Sequence, residues 1–217
     1  MEIFPYLISF VIGLVANFLY NRVRYKFGKP KIEICNYLLK TVKITKNDEI
    51  WPALQFKIIN KTFTDIIDIK LSLRVVKFND DDKVSKHILT ITEQKIDLIK
   101  ARELPFKEHI SFIKNNKRTY PNAIIGKFFI PCEDIFQIIE NKLEEGFNHI
   151  EIFIKATNPF TGSIYTNAAT FSNENIYDYQ YSFQLGHNCT PRKDENRKMK
   201  NIKFTKKELL NDCPFLK

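Results

Sequence analysis

The sequence lacks the short motifs that mark several large enzyme classes. It contains no GxxxxGK phosphate-binding loop, no GxSxG nucleophile elbow and no HExxH zinc motif. Each of these motifs holds a phosphate, a nucleophile or a metal ion in a fixed local geometry, so their absence argues against those activities. We therefore predict that the chain is not an enzyme.

Cysteine and histidine spacings typical of metal sites are also missing. The four cysteines show no CxxC pair, and the four histidines (His87, His109, His149 and His187) are scattered singly along the chain. The run Asp80, Asp81 and Asp82 lacks the glycine and glutamate of a calcium loop, and it is interpreted as a solvated hairpin tip. We expect no metal and no cofactor, and cysteines that are reduced, buried or idle.

Charge is absent from the stretch at residues 3–20, IFPYLISFVIGLVANFLY. As a helix it would be ~27 Å long, close to the ~30 Å hydrocarbon core of a bilayer. Five basic residues follow it, whereas only Glu2 and the terminal amine precede it. Because positive flanks stay in the cytoplasm, we predict a single-pass anchor with the N-terminus outside and the C-terminal domain cytoplasmic.

This stretch has two other interpretations. A cleaved secretory signal needs a basic segment before the apolar run, where Glu2 stands, and a small-x-small cleavage site, for which Val15, Ala16 and Asn17 are a poor match. A buried helix of a soluble core is rarely apolar on all sides over such a length. The uncleaved anchor is therefore favoured.

Two groups of residues near the anchor are candidate sites. The basic flank can contact anionic lipid head groups, or it can simply set the orientation of the helix. Its members are Arg22, Arg24, Lys26, Lys29 and Lys31. Ser9, Gly13 and Asn17 recur every four residues and share one helix face, so they can form a helix–helix contact between copies.

The remainder of the chain follows the period of two that is typical of strands with one buried face. In residues 67–75, IDIKLSLRV, the odd positions are apolar. Further strands are predicted at residues 32–39, 54–59, 87–92, 106–113, 149–156 and 164–171. One helix is predicted at residues 131–146, with Ile135, Ile139 and Leu143 on its buried side. This pattern indicates a mainly β fold, an immunoglobulin-like antiparallel β-sandwich with one inserted helix.

Three segments follow from these patterns. They are a transmembrane anchor with its basic flank (1–28), a cytoplasmic β-sandwich (29–190) and a basic C-terminal tail (191–217). Near the end of the sandwich, Tyr177, Tyr179 and Tyr181 alternate with polar residues. They are compatible with base stacking, but their strict alternation favours one packed face of a strand extending from residue 177 to residue 185.

The sandwich segment resembles a known family in its order of motifs. LQFKIINKTFTDIIDIKLSLRVVKF, KIDLIKARELPFKEHISFI and the run at residues 135–183 are similar to successive parts of the cytoplasmic domain of inward-rectifier potassium channels. GKPKIEI resembles the basic linker of that family, and its Lys29 and Lys31 match the region that contacts phosphoinositides. The resemblance implies a sensing and assembling domain, but the chain has neither the second membrane helix nor the selectivity filter of the channels.

The leading hypothesis is a membrane protein whose sandwich senses a ligand and assembles at the bilayer. Expected partners are membrane lipid, further copies of the chain, and an anionic lipid or nucleotide ligand. Bacterial antiviral-defence effectors that respond to a nucleotide signal are one class of this kind. The alternative is a non-enzymatic, membrane-tethered scaffold that recruits a protein partner. A soluble nucleic-acid binder ranks last because it leaves the apolar stretch unexplained.

Overall fold

The computed structural model describes residues 4–28, 30–44, 49–78, 85–102 and 122–193. In its first helix, side chains are described for residues 6 and 8–22. The predicted strand at residues 106–113, the aspartate run at 80–82, His109, Lys29 and the tail beyond residue 193 lie outside the described residues. The fold is mainly β, with antiparallel sheets and two α-helices in the described part of the chain.

In the described part of the chain, helix α1 (Phe4–Gly28) comes first and eleven strands follow it. They are β1 (Ile32–Ile34), β2 (Leu38–Ile44), β3 (Ile50–Asn60), β4 (Ile66–Phe78), β5 (Ser85–Ile99), β6 (Ala123–Phe129), β7 (His149–Thr157), β8 (Ile164–Phe171), β9 (Ile176–Tyr177), β10 (Tyr181–Phe183) and β11 (Pro191–Lys193). Helix α2 (Ile135–Glu144) lies between β6 and β7, and a single 3₁₀ turn (Asn173–Asn175) precedes β9. Among the described residues, no helix combines the length and the hydropathy needed to cross a bilayer.

Two main sheets form the sandwich. The first is centred on β3: β1 and β2 pair with successive parts of one edge of β3, and β6 pairs with the other edge. β9 then adds to β2 as a parallel strand. The second sheet has the order β5-β4-β7-β8, with antiparallel neighbours throughout.

The main core lies between these sheets. Alternate residues of β4 supply Ile69, Leu71, Leu73 and Val75, all with no exposed surface, so the predicted period of two is confirmed there. The alternation breaks at Asp68, whose φ of 50° accompanies a shift of register against β7. From the facing sheet come Leu54, Phe56, Ile58 and Phe128.

Helix α2 confirms the predicted inserted helix, in a shorter form. Asp134 is its N-cap, and a carboxylate oxygen of Asp134 accepts a hydrogen bond from the backbone N–H of Phe136 at 2.9 Å. Gly146 follows the helix with a φ of 96°, a conformation that favours glycine. Ile135 and Ile139 are buried in the core and Leu143 packs against it, as predicted.

A second, smaller core covers the opposite face of the β3 sheet. It contains Cys35, Leu39, Ile59 and Phe183, with Tyr177 and Tyr181 packed against them. The β10–β11 hairpin therefore closes over β3 from outside. Because β11 reaches Lys193, ordered pairing continues past the predicted start of the tail at residue 191.

Candidate functional site

The predicted basic flank is described in part. Arg22 is exposed on α1, and Lys31 is exposed directly before β1. Arg24 and Lys26 belong to α1, but their side chains, like the whole of Lys29, lie outside the described residues. The structure brings Lys31 next to a loop of the sandwich, since its carbonyl accepts a hydrogen bond from the N–H of Lys61 at 2.8 Å.

Ser9, Gly13 and Asn17 all lie on α1 and are exposed. A Cβ atom added at Gly13 would meet nothing within 4 Å, so this position has open space beside the helix. The side-chain oxygen of Asn17 accepts a hydrogen bond from the side-chain amide of Asn21 at 3.0 Å. These residues therefore line an accessible strip of the helix.

The end of the sandwich that follows α1 along the chain contains a connected set of polar contacts among the described residues. We call it the anchor-side end, and it consists of residues 30–33, 60–66, 99–102 and 157–164. Pairing brings these segments together: Ile32 is opposite Asn60, Ile66 is opposite Ile99, and Thr157 is opposite Ile164.

Asn60 organises this end from a fully buried position. Its side-chain NH₂ donates to the carbonyls of Thr64 and Lys100, both at 2.9 Å. Its side-chain oxygen accepts from both the N–H and the hydroxyl of Thr62. One amide thus links the β3–β4 loop to the residue that follows β5, and a buried amide satisfied on every side holds its loop in place.

Asn158 plays the matching part in the β7–β8 turn, and it too has no exposed surface. Its side-chain oxygen accepts from the N–H of Phe160 at 2.8 Å and from the N–H of Thr161 at 3.3 Å. Its NH₂ donates to the hydroxyl of Thr64 at 3.2 Å, which joins this turn to the β3–β4 loop. The turn thereby positions Phe160, whose exposed fraction is 60%.

Two hydrogen bonds connect β8 to the start of β1. The Tyr165 hydroxyl donates to the carbonyl of Ile32 at 3.3 Å, and burial is the largest influence that raises the pKa of this phenol. The side-chain amide of Asn167 donates to the same carbonyl at 3.4 Å. The chain therefore enters the sandwich at a fixed point of the anchor-side end.

A buried lysine is hydrogen-bonded to the loop of the β10–β11 hairpin. Lys57 projects from the outer face of β3 and has no exposed surface. Its ammonium donates to the carbonyls of Gln184 and Asn188 at 2.7 and 2.6 Å, and burial lowers the pKa of Lys57. No role was predicted for Lys57 from the sequence, although a lysine inside the apolar run LQFKIIN is the signal that could have found it.

A disulfide fixes the same hairpin. Cys35 and Cys189 are bonded, with their Cα atoms 5.1 Å apart, across a sequence separation of 154 residues. Cys132 is disulfide-bonded as well. The expectation of reduced cysteines is therefore wrong, because spacing along the chain does not reveal which cysteines the fold brings together.

The three tyrosines do not share the face of one strand. Tyr177 ends β9 and Tyr181 begins β10, and a turn between them contains Tyr179. The rings of Tyr177 and Tyr181 pack edge to face at 4.7 Å, whereas Tyr179 packs on Phe136 of α2 at 6.3 Å. The prediction of one continuous strand is wrong, but the packing role of Tyr177 and Tyr181 is confirmed.

Within the described ranges, no three His, Cys, Asp or Glu side chains are grouped so that they could hold a metal ion. No family model matches the chain. No curated protein matches it with statistical significance. The resemblance to the inward-rectifier domain therefore stays a prediction from sequence.

Proposed function

We propose that this chain is a single-pass membrane protein in which α1 anchors an immunoglobulin-like, ligand-sensing sandwich and copies assemble through α1. The observation that carries the proposal is the exposure of α1. Seven of its apolar side chains are between 48% and 67% exposed. They are Phe10, Val11, Ile12, Leu14, Val15, Phe18 and Leu19.

In water this exposure is unfavourable. Full burial contributes about 1.5–3 kcal/mol for each large apolar side chain, so covering all seven would contribute on the order of 10 kcal/mol. At about 100° per residue, the seven side chains span an arc of roughly 200°. An arc this wide is typical of contact with lipid rather than with one side of a soluble core.

The remaining side of α1 supports assembly. Ser9, Gly13 and Asn17 lie there, outside the apolar arc, and small residues let two helices approach closely in a membrane. The 25 residues of α1 would extend ~37 Å, against a hydrocarbon core of ~30 Å. Within α1, the first residue with a described side chain is Tyr6. The proposed membrane-spanning segment is the whole charge-free stretch at residues 3–20.

The sensing role is supported by the sequence resemblance to the channel domain and by the antiparallel two-sheet fold. An anionic lipid or a nucleotide is the proposed ligand, in keeping with the formal net charge of +9. The role in antiviral defence and the recruitment of a protein partner stay predictions from sequence.

Two features of the chain favour opposite sides of the membrane. The basic flank favours a cytoplasmic sandwich, whereas disulfides persist mainly in oxidising compartments. We propose the cytoplasmic side, because orientation is set during insertion by charges close to the helix. The 5.1 Å between the Cα atoms of Cys35 and Cys189 permits a bridge, but it does not select the compartment.

Carbonate extraction of membranes from cells expressing the full chain tests the anchor. The chain should stay in the membrane pellet, and its release into the supernatant would refute the proposal. A reporter fused after Lys217 tests the orientation: activity of a cytoplasmic reporter is expected, and activity of an exported reporter would reverse the assignment.

Assembly is tested by cross-linking in membranes. Gly13→Leu fills the open space beside the helix and should strongly reduce cross-linked dimers, because two backbones can no longer approach. Ile12→Leu is the matched control, since it alters the lipid-facing arc and should leave cross-linking unchanged. Equal yields from both variants would exclude this face as the contact.

A further inference from the structure

We propose that the anchor-side end of the sandwich is itself a membrane-contact surface, which rests on anionic lipid through exposed aromatic and basic side chains. The inference rests on the proposed function, since it takes α1 as the anchor. It adds a second contact with the bilayer, made by the folded domain and separate from the flank of the helix.

Chain connectivity supplies the first reason. Gly28 ends α1, and Ile32 begins β1 four residues later. Four residues extend at most about 14 Å, so the domain begins close to the end of the helix. The strand ends that pair around Ile32 are therefore the part of the sandwich nearest to the membrane.

Exposed apolar side chains supply the second reason. Phe63, Phe160 and Ile164 are exposed by 57%, 60% and 63%, and all three belong to the anchor-side end. Phe63 lies in the loop held by Asn60, and Phe160 lies in the turn held by Asn158. Because both loops are hydrogen-bonded to buried amides, the rings are presented on fixed supports and little further ordering is needed when lipid covers them.

Charge supplies the third reason. Lys31, Lys61, Lys100 and Arg102 are exposed at this end, and Glu33 and Asp65 are its acidic residues. Four positive and two negative charges leave a formal excess of two. Lys61 pairs with Glu33, and Lys100 lies 3.6 Å from Asp65. Basic residues beside exposed aromatic rings match the chemistry of an anionic lipid surface.

Depth-dependent quenching of tryptophan tests the contact. The full chain with Phe160→Trp is reconstituted in phosphatidylcholine vesicles containing phosphatidylglycerol, with and without lipid carrying a nitroxide near the head group. Trp51, the only natural tryptophan, is 2% exposed and serves as an internal reference. We expect the nitroxide lipid to quench about half of the fluorescence that the Phe160→Trp substitution adds to that of Trp51. The new ring should lie at the boundary between head groups and acyl chains.

Ile50→Trp is the matched control. Ile50 is 45% exposed and lies at the opposite end of β3, ten residues or about 33 Å along the strand from the anchor-side end. Its added emission should be unchanged by the nitroxide. Equal quenching of both variants would show non-specific collapse onto the vesicle, and it would overturn the inference.

The same vesicles are extracted with carbonate, so that the two proposals fail separately. Retention without quenching of the Phe160→Trp variant overturns the lipid-contact surface and leaves the anchor intact. Release of the chain refutes the anchor, and the inference falls with it. Quenching that is unchanged in vesicles of phosphatidylcholine alone would overturn the part assigned to the basic side chains.

Discussion

Loss of the Cys35–Cys189 bridge should cost the sandwich much of its stability. The bridge closes a loop of 154 residues, and in the chain-entropy model such a cross-link lowers the entropy of the unfolded chain by roughly 17 cal/mol/K. At 25 °C this corresponds to about 5 kcal/mol. Since whole domains are stable by only about 5–15 kcal/mol, replacing both cysteines by alanine should bring the domain close to unfolding.

Urea unfolding of the full chain in mild detergent, followed by the emission of Trp51, measures this loss. With a slope of about 2 kcal/mol/M, a loss of about 5 kcal/mol lowers the midpoint by roughly 2.5 M. The slope should also rise, because an unfolded chain without the cross-link exposes more surface. Trp51 is a suitable probe because it lies buried on β3, the central strand of its sheet.

The single variants provide the control. Because either substitution alone breaks the bridge, Cys35→Ala and Cys189→Ala should each cost nearly as much as the double variant. A midpoint shift below about 0.5 M, or single effects that add up to the double effect, would show that the two residues act only as separate packing side chains.

Three further predictions concern the core and the pH dependence of stability. Ile69→Asp should prevent folding because it places a charge in the main core, whereas exposed Lys70→Asp should change thermal stability by less than about 1 kcal/mol; equal damage would mean that the strand faces are misassigned. Gly126→Ala should destabilise by about 1–3 kcal/mol in urea unfolding, because the new methyl would lie 2.3 Å from the ring of buried Phe56; an unchanged midpoint would refute this contact. Burial, with smaller effects from nearby carboxylates, raises the pKa of Tyr179 to about 12, above its usual 10.0, so the unfolded chain releases this proton first and stability should fall between pH 10 and 12. Tyr179→Phe should flatten that fall in urea unfolding at each pH, and an identical decline in both proteins would contradict the assignment.

Sequence patterns predicted the elements in which the spacing of apolar residues depends only on neighbouring residues of the chain. The alternation in β4 and the apolar positions of α2 need no information from distant residues, and both were found where the residues indicated them. Residues 32–39 were predicted as one strand, but they divide into β1 and β2 around Cys35. The division arises because both strands pair with β3 in different registers, and pairing over such distances has no local signal.

Two strands that contain a proline or a glycine were predicted only in part or not at all. β3 was predicted at residues 54–59 but begins at Ile50, and its Pro52 pairs with Val42 of β2 at a point that β6, ending at Phe129 opposite Ala53, does not reach. A proline there disrupts no second ladder. β6 itself was not predicted, because Gly126 interrupts its apolar run. That glycine leaves room for the ring of Phe56, a requirement that appears only after the strands are paired.

The candidate site was less predictable than the fold. Ser9, Gly13 and Asn17 were predicted to share one face of a helix, and all three lie on α1, but their contact between copies stays a prediction. Asn60 and Lys57 donate hydrogen bonds to carbonyls that lie far away in sequence, and Asn158 donates to the hydroxyl of Thr64, which is also distant in sequence. Residue spacing alone therefore could not identify the amides that organise the anchor-side end.

The Cys35–Cys189 bridge also gives the chain a second covalent route from one end to the other. Cys35 lies seven residues beyond the end of α1, and Cys189 lies close to the last described strand. A protease that cut any backbone bond between residues 36 and 188 would leave the C-terminal part attached to the helix. Tension applied between the helix and the C-terminus would likewise travel through two sulfur atoms, and the strands between them would not be pulled apart.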